Sequence, residues 1–113
     1  MPRMTHEQDA AMRAATELIY AERYRQHAEH GEQNLPLARY FRDWHELEAS
    51  GWRAANETLE RLNLHSFFSL SMEEVNEACA EVDLDRQIEE WTQFAAVAHQ
   101  GLECLLRRKA VAE

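Results

Sequence analysis

The chain has 113 residues and a formal net charge of −9, with 45% hydrophobic and 29% charged residues. That length fits one domain spanning 1–113, because two independent cores would each be too small. The acidic balance argues against direct nucleic-acid binding, which draws its affinity from neutralising phosphates, and against an anionic membrane surface.

Three Gly and two Pro leave few turns, and Ala, Glu, Arg, Leu and Gln are good helix formers. The expected fold is all-α: an antiparallel bundle of three long helices plus one short helix, dimeric. The first helix is expected from Thr5 to His30, capped by Thr5 and stopped by Gly31. On a wheel at about 100° per residue, Ala11, Ala14, Ala15, Leu18 and Ala21 share one face. Tyr20, Tyr24 and His27 lie on nearly the opposite face, spaced i, i+4, i+7. Tyr gives large contact area at low entropic cost, so this second stripe reads either as packing within the domain or as a partner-binding face.

The second helix is expected from Leu37 to Leu62. Its stripe of Leu37, Tyr40, Phe41, Trp44, Leu47, Gly51, Trp52, Ala55, Leu59 and Leu62 is the strongest periodic signal in the chain and reads as core. Glu48 interrupts it, and a core carboxylate is costly unless paired or ligated. Asn63 to Leu70 reads as an apolar connection carrying Phe67 and Phe68. Ser71 to Glu74 has the Ser-x-x-Glu pattern of a capping box and would open a short third helix.

The helical phase slips near Asp83 to Asp85. A fourth helix then carries Leu84, Ile88, Trp91, Phe94, Leu102 and Leu105 on one face and closes on Arg107, Arg108 and Lys109, which complement the helix dipole. A thinner stripe, Val97, Gly101, Cys104 and Val111, reads as a dimer seam in which Cys104 could approach its twin, or as ordinary burial of a small thiol. Long helices with few neighbours expose apolar surface, so a homodimer is expected.

The stretch from Glu73 to Glu90 holds eight acidic residues and one Arg, most of the net charge. It is either a solvated face or a docking surface for a basic partner, with Glu73, Glu74 and Glu77 as its candidate contacts. Arg39 and His45 show the permissive Arg-x5-His spacing of HEPN-type ribonucleases. No nucleophile with a neighbouring base, no phosphate loop and no Cys/His zinc spacing is readable. The expectation is therefore a non-enzymatic protein without cofactor or metal. The polar N-terminus and the lack of a long apolar run make the cytoplasm its expected location.

Two resemblances add to this. Glu17 and Tyr24 in Glu-x6-Tyr spacing, followed by Leu37-Ala38-Arg39-Tyr40-Phe41 and Glu48, resemble the helix pair of ferritin-like, rubrerythrin-type proteins. The Ala96–His99 run is similar to that family's last helix. The resemblance implies Glu17, Glu48 and His99 as remnants of a metal set, with Gly51 and Leu102 standing where the family has histidines. By overall type, a small acidic helical protein with extra apolar faces resembles the antiactivators of LuxR-type, LasR-like quorum-sensing regulators. That implies a protein partner, a transcription regulator whose dimerisation or DNA binding it blocks.

Overall fold

The computed structural model describes every residue except Met1, Arg39 and Tyr40. Four helices and no strands appear among the described residues: α1 (His6–His30), α2 (Arg42–Arg61), α3 (Phe67–Ala80) and α4 (Leu84–Ala112). None is long and apolar enough to cross a membrane.

The start of α1 follows from its first residues. Thr5 accepts the Gln8 backbone N–H at 3.1 Å, and the Gln8 side chain accepts the Thr5 N–H at 2.8 Å. Two of the four donors that a helix start leaves open are thus satisfied reciprocally. The stop is Gly31 at φ +68°, whose N–H donates to the His27 carbonyl; a side chain there would be strained.

Two later boundaries differ from expectation. α3 begins at Phe67, not after Ser71, because Ser66 and Ser69 form their own capping box: each hydroxyl accepts the other's backbone N–H at 3.1 Å. Phe67 and Phe68 are therefore helical residues rather than a connection. α2 begins at Arg42, five residues later than the apolar pattern suggests, and its N-cap Phe41 has no capping side chain. Tertiary contacts fix that start: Arg42 Nε donates to the Ala80 carbonyl at the end of α3, and the Cys79 thiol lies 3.9 Å from the Leu37 carbonyl. The expected break after α3 is present. Glu81 is extended, and the Asp83 carboxylate accepts the Arg86 N–H at 3.1 Å, capping α4.

The described contacts gather into two compact units, one of Met1–Leu35 with His99–Glu113 and one of Pro36–Ala98. In the second, α2 and α3 form an antiparallel hairpin, since contacts run from Arg42 with Ala80 to Asn56 with Ser69. The face of α2 that meets α3 is polar. His45, Ala49 and Asn56 are its buried residues. His45 Nδ1 lies 2.9 Å from Asn76 Oδ1, and Asn56 Nδ2 donates to the Ser69 carbonyl at 2.9 Å and to Glu73 at 3.0 Å.

The apolar stripe of α2, expected in the core, therefore faces outward along much of its length. Phe41 is 87% exposed and Leu47 72%, and Trp44 and Leu62 are exposed too. Trp52 and Phe68 cover each other edge to face, with ring centroids 5.7 Å apart.

In the first unit, small residues decide the packing. Ala15 is fully buried and Ala11 nearly so, while Leu18 and Ala21 of the same predicted face stay exposed. Thr16 and His99 join α1 to α4. The Thr16 hydroxyl donates to the Met12 carbonyl at 2.9 Å and lies 2.8 Å from His99 Nε2; His99 Nδ1 lies 2.6 Å from the buried Glu103 carboxylate.

Candidate functional site

Tyr20 and Tyr24 stand on the outer face of α1 at 63% and 66% exposure, their rings tilted against each other with centroids 5.3 Å apart. His27, one turn on, is exposed as well. The helix thus presents two adjacent aromatic rings that nothing in the first unit covers. Around them Arg25 bridges Glu22 and Glu29, and Arg25 holds the Glu22 carboxyl below its ordinary range.

The acidic residues behave differently. Glu73 and Glu77 are about one-fifth exposed and turn toward α2, where Arg53 Nη2 donates to Glu77 at 2.8 Å and Arg53 Nε lies 3.9 Å from Glu73. Glu74, Glu77 and the half-buried Glu90 of α4 bring carboxylate oxygens within 4.8 Å of one another. One oxygen each of Glu74 and Glu90 is buried without a hydrogen-bond partner. Loss of water first, and the neighbouring carboxylates second, push both of these carboxyls up from the usual value. Crowding is thus relieved by holding protons more tightly, with Arg53 the compensating cation at one end.

Beside this cluster lies an open cleft of about 470 Å³ whose charged lining includes Arg42, Arg53, Glu46, Glu77, Glu81 and Glu90. Arg53, Glu90 and Asn56 carry this arrangement and were not singled out from the sequence. Their pairing crosses from helix to helix, and spacing along the chain gives no sign of it.

The chain matches no known protein family, no characterised protein and no solved fold. Val97, Gly101, Cys104 and Val111 all lie on α4, with Val97 in the second unit and the others in the first. Val111 is exposed, the other three are half-buried, and Arg107 Nη2 lies 3.1 Å from the Cys104 sulfur. Burial pushes the Cys79 thiol up, away from the reactive thiolate.

Of the residues implied by the ferritin-like resemblance, Glu17 is exposed in the first unit, where His99 is bound to Thr16 and Glu103. Glu48 belongs to the second unit, beside Leu47, Gly51, Trp52 and Ala55 in a shallow depression of about 270 Å³ on the outer face of α2. The three-carboxylate group that does come together is a different set. For the ribonuclease-like spacing, Arg39 lies outside the described residues, and His45 is buried against Asn76.

Proposed function

We propose that the chain is a non-enzymatic interaction protein that works as a homodimer and inhibits a transcription regulator, blocking its dimerisation or DNA binding. One observation carries this reading: among the described residues, large apolar and aromatic side chains stand outside while the buried apolar residues are four alanines, Ala11, Ala15, Ala49 and Ala78. An apolar surface of that extent serves contact with other proteins. Tyr20 and Tyr24 supply a preformed aromatic anchor on a rigid helix for the regulator's groove or dimer interface. The net negative charge favours a basic or mixed partner surface and keeps the chain itself off DNA. The LuxR-type class is the most concrete candidate, by its likeness to small acidic helical antiactivators.

The test uses a purified LuxR-type regulator and its operator duplex. Adding the chain is expected to lower operator occupancy, and Tyr20→Ala/Tyr24→Ala to weaken that inhibition by about 30-fold or more. Unchanged occupancy at saturating protein would overturn the reading. Metal analysis after purification without chelator separates it from a degenerate ferritin-like metal or redox protein. Stoichiometric iron lost on Glu48→Ala would put that alternative in its place.

A further inference from the structure

Three polar groups stand in a row where α1 meets α4 inside the first unit. The Thr16 hydroxyl oxygen lies 2.8 Å from His99 Nε2, and His99 Nδ1 lies 2.6 Å from the Glu103 carboxylate. Thr16 is exposed, His99 half-buried and Glu103 buried. A hydroxyl, a ring nitrogen within hydrogen-bond reach and a carboxylate on the ring's other nitrogen are the parts that turn an alcohol into a nucleophile.

Their order fixes their roles. An ionised carboxylate only accepts, so Nδ1 supplies the proton of the contact with Glu103. In the uncharged ring the Nε2 lone pair then faces Thr16 and can take the hydroxyl proton. Glu103 sits one turn along α4 from His99, so the same helix that carries the ring also holds its orientation.

The hydroxyl has a second acceptor in reach, the Met12 carbonyl at 2.9 Å. Thr92 makes the same kind of bond to its own helix, to the Ile88 carbonyl at 2.7 Å, and is exposed too. Among the described residues no imidazole bonds to Thr92. It is therefore a control within the same chain, a helical threonine without the base.

Backbone N–H groups in mid-helix are engaged in helix bonds and supply no oxyanion hole, so the expected gain is that of a general base, about 10²–10⁴-fold. A donor with a good leaving group is therefore required. The Glu103 carboxylate behind the ring and the net charge of −9 disfavour an anionic donor such as a phosphoryl compound.

We propose that Thr16 is a modification site, acylated by an uncharged activated ester or thioester with His99 as the base and Glu103 as the positioning residue. Thr16 Oγ1 attacks the acyl carbon while its proton passes to His99 Nε2. A C–O bond forms, and the bond from that carbon to the leaving alcohol or thiol breaks. The leaving group departs with the electron pair and takes the proton from His99. An esterified Thr16 has no hydroxyl proton to share with His99, so the mark falls on a contact between α1 and α4. The acyl group stays on the chain, and the inference stands apart from the interaction reading.

The test treats the full chain with p-nitrophenyl acetate and follows O-acetylation of each threonine by peptide mapping in a mass spectrometer. Thr16 is expected to be acetylated about 10²-fold faster than Thr92. His99→Gln keeps a polar side chain without a basic nitrogen and should bring the two rates together, with helical content by circular dichroism retained. In Glu103→Gln the amide can donate to Nδ1 and turn the lone pair away from Thr16, which should lower the preference by about tenfold or more. Glu103→Asp keeps the charge and should restore part of it, which a merely structural role would not produce. Equal acetylation of Thr16 and Thr92 in the wild type would overturn the proposal, as would a preference for Thr16 that survives His99→Gln. If His99→Gln loses helix, the two Glu103 variants decide the role of the ring.

Discussion

The two faces of α2 invert the usual arrangement. The side turned to α3 holds His45, Asn56 and, at its edge, Arg53, while the side turned outward holds Phe41, Trp44 and Leu47. Buried hydrogen bonds contribute modestly when made and cost more when broken, whereas apolar area stabilises only when it is covered. The inner face therefore holds the hairpin in shape, while apolar side chains on the other side of the helix stay exposed.

The largest expected effect sharpens that contrast. Asn56→Ala strips the Ser69 carbonyl and the Glu73 carboxylate of a buried donor and should cost about 2 kcal/mol in thermal or urea unfolding. Leu47→Ala, at a 72% exposed position, should stay within about 0.5 kcal/mol. The opposite order would break the comparison. Next comes Ser66→Ala, which removes the reciprocal cap of α3 and should cost about 1 kcal/mol by the same measurement.

The smallest effect has the opposite sign. The Glu74 carboxyl is pushed up in the folded chain, so the native state holds that proton more tightly than the unfolded state does. Its contribution to stability is present below the unfolded value of 4.5, is lost as pH rises through the raised native value, and is flat above it. Glu74→Gln should flatten that dependence and raise the melting midpoint at pH 7 by about 2 °C, read by pH-dependent thermal melts.

Local chemistry made part of this legible in the sequence. Thr5 with Gln8 and Gly31 bound α1 because caps act within four residues, and the acidic turn near Asp83 ended one helix and opened another. The start of α2 escaped a sequence reading because it is set by Arg42 and Leu37 against the far end of α3. α3 was displaced because Ser66 and Ser69 form a cap without the acidic residue that the usual pattern expects. Periodicity found the apolar stripe of α2 but could not say whether its cover comes from the same chain. Of the site residues, the aromatic pair on α1 was visible as spacing. The Arg53–Glu77 contact was not, because it joins positions 24 apart.

The His45–Asn76 and Asn56–Ser69 bonds have one more consequence. Sliding α3 by one turn, about 5.4 Å, would break both together, so the hairpin has a single alignment. A fold keyed this way on one side of a helix is insulated from changes on the other. Exposed positions such as Leu47 and Gly51 can change without disturbing that alignment, so the scaffold tolerates variation on its open side.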